Sequence, residues 1–214
     1  MNKIKIKHCI SLGFTCHTAF FLKTNNLKFC SYPYDWIFTN YNTILDTLND
    51  NFNKFLDKIY YIKIENERRC GHKIYGKSFF NHKNPLNDED YDYYKRCIER
   101  FKNILNNPES KLFIITNINQ TKEISNENIN KLNMIYNKLN SITTNFNLLC
   151  INSILNEKLD LKNPIIESTK ISKIQDNFYL VNFYTKTKSS GIRYSNKEDD
   201  DNYKNIIFNM FDFS

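Results

Sequence analysis

The chain has 214 residues, a formal net charge of +7 at neutral pH, and 41% hydrophobic and 15% aromatic residues, which suits one ordinary domain with a buried core and excludes a disordered chain. The positive charge comes mostly from lysines spread along the whole sequence. Without the patch or stripe of a nucleic-acid footprint, no specific polyanion partner is expected.

Residues 3 to 12, "KIKIKHCISL", alternate isoleucine with lysine and then turn apolar, which predicts a strand entering a buried sheet. "TCHTAFFLKTNN" predicts a helix opened by a Thr15 cap. Residues 41 to 56, "YNTILDTLNDNFNKFL", carry apolar residues near helical spacing, and residues 88 to 107 place Tyr94, Cys97, Ile98, Phe101, Ile104 and Leu105 on one helical face. "KLFIITNI" (111 to 118) predicts a strand, and residues 126 to 142 a helix with Ile129, Leu132, Ile135, Tyr136 and Leu139 on one face. "FNLLCINSIL" (146 to 155) and "FYLVNFYT" (178 to 185) are two more strands, rich in β-branched or aromatic residues. The lysine- and acid-rich residues 186 to 202 read as a surface loop. Strands alternating with helices predict an α/β fold, a three-layer sandwich with a largely parallel sheet, as a single domain over residues 1 to 214.

Asparagine is about one residue in six, a codon bias of AT-rich genomes that says nothing about chemistry. The six cysteines, at 9, 16, 30, 70, 97 and 150, follow none of the paired spacings of zinc sites, and a chain of this size needs no disulfide framework. The start "MNKIKIKHCI" lacks the apolar core of a signal peptide, and no apolar run approaches the roughly 20 residues that span a bilayer. The expectation is a soluble cytoplasmic protein, in the host cytoplasm if the source is viral, with reduced thiols, no metal, no cofactor and no membrane partner.

In an open α/β sheet, ligands bind outside the carboxyl ends of the strands, where helix N-termini point their unpaired amides. The turn Ser11, Leu12, Gly13, Phe14, Thr15, Cys16 occupies that place if the first strand is central. Gly13 permits a tight turn or the close approach of a substrate. Cys16 falls in the first helical turn, where the helix dipole lowers a thiol's pKa, and neighbouring amides can form an oxyanion hole. A small buried residue at a strand-helix junction explains the same cysteine without chemistry. His17 diverges from Cys16 by about 100° on a helix and does not easily face it as its base; it reads as a surface or first-turn residue.

"SLGFTCHTAFFLK", "SYPYDWIFTN" (31 to 40), "KSFFNH" (77 to 82), "YKRCIERFKNIL" (94 to 105) before "KLFIITN", and "DDDNYKNIIF" near the end together resemble a family described as putative papain-like cysteine peptidases. That pattern opens with Ser-Leu-Gly-x-x-Cys-x-x-Ala, matched by Ser11, Leu12, Gly13, Cys16 and Ala19. It continues with Pro-Phe-Asp-Trp, matched by Pro33, Asp35 and Trp36 with Tyr34 in place of Phe. The resemblance implies Cys16 as nucleophile and a histidine from residues 72 to 82 as base, with a peptide as substrate. His82 ends an aromatic, strand-like run before Asn84 and Pro85, where a short strand can present an imidazole to a cleft. His72, on a turn with Gly71, is the other candidate, and His8 on the incoming strand reads as structural. The order departs from papain-like enzymes, whose base follows late and on an antiparallel sheet, since all four histidines here lie within the first 82 residues.

A cysteine-histidine pair usually has a third group that orients the ring. Asp35, beside the one tryptophan, Trp36, is the candidate; the alternative use is as cap of a helix beginning near Asn40 or Asn42. The opening Ser-Leu-Gly before a helix is also similar to esterase and acyltransferase folds with an early nucleophile, where Ser11 or Cys16 reacts and the substrate is a glycan. Such folds supply a late Asp-x-x-His pair, and no histidine follows His82. A non-catalytic binding protein of the same fold is the third reading. Arg96 and Arg100, one turn apart, can hold a carboxylate or phosphate bidentately or join an ion-pair network with Asp92 and Glu99. With Ser11, Gly13 and Trp36 they are the candidate substrate-binding residues. The acidic run from Glu198 to Asp201 reads as solvated surface rather than a metal site.

Overall fold

A computed structural model describes residues 3–65, 69–157 and 169–214. The expected first strand is two: β1 (Ile4–Lys5) and β2 (His8–Ser11). Helix α1 (His17–Thr24) follows. The predicted helix over residues 41 to 56 is also two, α2 (Tyr41–Asn49) and α3 (Asn53–Leu56), separated by Asn51 and Phe52 at φ 57° and 64°. Asp50 makes the break, its carboxylate accepting the amides of Phe52 at 3.0 Å and Lys54 at 2.8 Å, so the side chain ends one helix and starts the next. A 3₁₀ turn (Lys58–Tyr60) leads into a small antiparallel sheet of β3 (Tyr61–Lys63), β4 (Cys70–His72) and β5 (Gly76–Phe80).

Then come α4 (Asp88–Asn106), β6 (Lys111–Gln120), α5 (Asn126–Ile142), β7 (Phe146–Leu155), β8 (Thr169–Gln175) and β9 (Phe178–Thr185). Last are α6 (Lys197–Met210) and β10 (Phe211–Asp212). Residues 197 to 202, expected in a surface loop, are the first turns of α6. Asn196 caps it by accepting the Asp199 amide at 2.8 Å, and Glu198, Asp199 and Asp200 sit where the helix end carries partial positive charge.

The main sheet runs β2-β6-β7-β9-β8, with the first four strands parallel and β8 antiparallel at the edge. The fold is therefore mixed α/β with a mostly parallel sheet and six helices among the described residues. Both faces of the sheet are apolar, as expected for parallel strands reached by crossover connections. On one face Ile10, Phe113, Leu148 and Phe178 join Ile44, Phe101 and Leu139 from α2, α4 and α5. On the other, Cys9, Leu112, Ile114 and Val181 join Leu22 of α1 and Ile207 of α6. The strand pair β1-β10 stands apart as a two-stranded parallel sheet. Among the described residues no helix is long and apolar enough to cross a membrane.

Candidate functional site

The turn after β2 is built around two residues with left-handed backbone, Gly13 at φ 91° and Phe14 at φ 78°. A side chain at position 13 would be doubly excluded, because a Cβ there would lie 2.6 Å from Thr39 Oγ1 and 3.3 Å from the Tyr34 carbonyl oxygen. Phe14 has no such freedom and is held by its partners. Its amide donates to Thr39 Oγ1 at 2.8 Å, and its carbonyl accepts the Thr39 amide at 3.3 Å. Such backbone costs about 1–3 kcal/mol and persists only where the surroundings over-determine it. Ser11 Oγ, fully buried, accepts the Gly13 amide at 3.2 Å. Cys16 is the N-cap of α1, and Thr15 serves the helix only through a 3.4 Å bond from the His17 amide to its hydroxyl. The amides of Thr15 and Cys16 have no hydrogen-bond acceptor among the described residues.

His82 arrives from the opposite direction, two residues beyond β5. Phe79 and Phe80 anchor that strand in the core, and the Phe79 carbonyl accepts the Phe38 amide at 3.1 Å. The segment from Tyr32 to Thr39 thus holds the cysteine turn at one end and the histidine strand at the other. The outcome is Cys16 Sγ 3.1 Å from His82 Nε2. Asn81 Nδ2 lies 3.3 Å from the same Nε2. An amide nitrogen can only donate, so Nε2 carries the lone pair and the neutral ring keeps its proton on Nδ1. The indole of Trp36 meets His82 edge to face, with ring centroids 6.0 Å apart.

Asp35 is 1% exposed. Its Oδ2 accepts the Tyr32 amide at 2.8 Å and pairs with Lys28 Nζ at 2.8 Å, and Lys28 Nζ also stands 4.8 Å from the centroid of the Trp36 ring. Burial raises the Asp35 pKa while Lys28 and the Tyr32 amide oppose it. The carboxylate's hydrogen bonds go to Lys28 and Tyr32 and none goes to His82 among the described residues; its link to the ring runs through Lys28 and Trp36. Nor does it cap α2, whose cap is Asn40, accepting the Thr43 amide at 3.0 Å. Burial pushes the Cys16 thiol up to about 11, with the charge of Asp35 adding to the rise. That is opposite to the lowering expected at a helix start. Cys16 is 3% exposed, and lost hydration outweighs the dipole of an eight-residue helix.

The other sequence candidates fall elsewhere. His72 is fully buried in the small sheet, its Nε2 bonded to the Lys54 carbonyl at 3.0 Å and its Nδ1 accepting the Ile74 amide at 3.2 Å, so both nitrogens are occupied. His8 pairs with Glu109 at 2.6 Å. His17 is in the first turn as expected but is not a surface residue: it is 2% exposed, between the rings of Tyr194 and Tyr203. Arg96 and Arg100 are exposed on α4, and Asp92 pairs with Lys95 at 2.6 Å instead of with Arg96. Among the described residues no three metal-ligating side chains cluster. In the acidic run, Asp199 is buried and accepts the amides of Lys186 and Thr187. Thr39, Asn81 and Lys28 were not singled out by the sequence, although Thr39 lies inside the motif that contains Asp35 and Trp36.

Residues 7–156 match a family whose description is "Putative papain-like cysteine peptidase". No curated protein and no solved structure matches the chain. The matched span contains the cysteine turn, the 32 to 39 segment and the small sheet that delivers His82.

Proposed function

Because the chain belongs to the putative papain-like cysteine peptidase family, we propose that it is a cysteine hydrolase in which Cys16 attacks an acyl carbon and His82 handles the proton. The observation that carries this reading is the 3.1 Å approach of Sγ to Nε2, inside hydrogen-bond reach for a nucleophile and its base. With the thiol pushed up by burial, Cys16 rests protonated and donates to Nε2 of His82. The thiol proton moves to Nε2 as the bond from sulfur to the acyl carbon forms. The carbonyl electrons move onto oxygen, for which the amides of Cys16 and Thr15 are the nearby donors. The imidazolium then protonates the leaving group, and water, deprotonated by the same nitrogen, releases the acid. Asp35 is a positioning residue, acting through Lys28 on the indole that braces the ring.

The family favours a peptide as substrate, with a glycan ester served by the same thiol as the second class. Residues 1 to 214 form one domain on this reading, with the sheet as the middle of three layers; the two apolar faces of the sheet support it. Six free cysteines fit a reducing, cytoplasmic setting. The test is reaction with a peptidyl vinyl sulfone, with the adduct mapped by mass spectrometry. Cys16 should carry it, and His82→Gln should slow its formation by about 10²-fold or more. No adduct at Cys16, or an unchanged rate in His82→Gln, would overturn the reading.

A further inference from the structure

A cavity of about 320 Å³ opens between α1, α6 and the turn at residues 192 and 193; neither Cys16 nor His82 lines it. Its apolar floor is Phe20, Phe21 and Tyr203, and four charged side chains surround that floor: Arg193, Lys204, Asp200 and Asp201. Opposite charges lining one concave surface usually close on one another, yet none of the four takes part in an ion pair among the described residues. Arg193 lies over the Phe20 ring, 5.2 Å from its centroid, and Lys204 over Phe208 at 5.4 Å. Asp200 Oδ1 accepts the Tyr194 amide at 2.9 Å, and Oδ2 has no hydrogen-bond partner among the described residues.

His17 adds a ring nitrogen. Ser189 Oγ accepts the Gly191 amide at 3.1 Å and lies 2.9 Å from His17 Nδ1; with the hydroxyl donating to Nδ1, the neutral ring carries its own proton on Nε2. Among the described residues that nitrogen has no partner, and the side chain, 2% exposed, lines the cavity.

We propose that this cavity binds a free α-amino acid with a large apolar or aromatic side chain. The carboxylate takes His17 Nε2 and Arg193, the ammonium takes Asp200 Oδ2 with Asp201 beside it, and the side chain lies on Phe20 and Tyr203. The volume is at the small end of ligand sites, which suits one residue and excludes a folded partner. The proposal is independent of the thiol reaction.

The experiment is calorimetric titration of Cys16→Ala protein with L-tryptophan and L-phenylalanine, using N-acetyl-L-tryptophan and tryptamine as probes lacking one charge each. Both free amino acids should bind, and each single-charge analogue should bind at least about tenfold more weakly, as expected for losing one charged hydrogen bond. Arg193→Gln and Asp200→Asn should each weaken L-tryptophan by a similar factor; Arg193 is exposed and Asn keeps the acceptor for Tyr194, so both variants should fold. Absence of binding to the folded protein at millimolar concentration, equal binding of the analogues, or unchanged affinity in both variants would overturn the proposal.

Discussion

Cys16 Sγ and His82 Nε2 lie 3.1 Å apart across 66 residues of sequence. Neither is held by the other. The cysteine is fixed by the bond between Phe14 and Thr39, and the histidine by the strand that Phe38 ties down through Phe79. A side chain such as Thr39, which touches no reacting atom, therefore sets the distance between the two that do.

The pH dependence of alkylation follows from the burial of Cys16. Its thiol is raised to about 11, so iodoacetamide labelling of native protein should climb with pH through the region above the free-thiol value of about 8.5. Mapping the modified cysteine by mass spectrometry at each pH gives the profile. A midpoint below the free-thiol value would mean a preformed thiolate and would remove the general-base step.

Gly13→Ala should destabilise the protein by about 2–4 kcal/mol, since it adds an atom 2.6 Å from Thr39 Oγ1 at a φ of 91°. Urea denaturation reads the loss. A change below about 0.5 kcal/mol would show that the turn relaxes freely. Thr39→Val should cost about 1–2 kcal/mol by leaving the Phe14 amide unpaired.

The Lys28-Asp35 pair is buried, with side chains 10% and 1% exposed. Lys28→Met strands the carboxylate and should cost about 3–5 kcal/mol, while the double variant Lys28→Met/Asp35→Leu should recover most of it. A double-mutant cycle by urea denaturation measures the coupling. Additive single effects would mean that the two charges do not depend on one another.

Burial holds the His17 pKa down to about 4 from an ordinary 6.5. Between those values the unfolded chain binds a proton that the folded chain does not, so stability is complete above about pH 6.5 and falls as the pH drops towards 4. A shift of this size corresponds to about 3 kcal/mol. His72, lowered in the same direction by its own burial, adds to the slope. His17→Gln should flatten the slope of unfolding free energy against pH over that window without abolishing it. An unchanged slope would mean that His17 protonates without unfolding its surroundings.

The central strands were legible because β6 and β7 are buried on both faces, which leaves continuous apolar runs such as "LFII" and "LLCI". Strand β8 was not. At the sheet edge it exposes Lys170 and Lys173, and only its hydrogen bonds to β9 make it a strand. Helix α6 was hidden by its own N-terminal chemistry, since acidic residues that complement a helix end resemble a solvated loop when read along the chain. In the site, the glycine of the cysteine turn was readable from one residue. The role of Thr39 was not, because its contacts with Phe14 reach 25 residues back to a position that no local pattern marks.

The parallel pair of β1 with β10, Ile4 against Phe211 and Lys5 against Asp212, also bears on synthesis. The ribosome delivers β10 only after every strand of the main sheet has followed β1. Until then the face carrying Leu112, Ile114 and Val181 lacks the cover of Tyr203 and Ile207. Between the emergence of these strands and that of α6 the nascent chain therefore carries an exposed apolar surface, the kind of surface that chaperones hold and that aggregates when they do not.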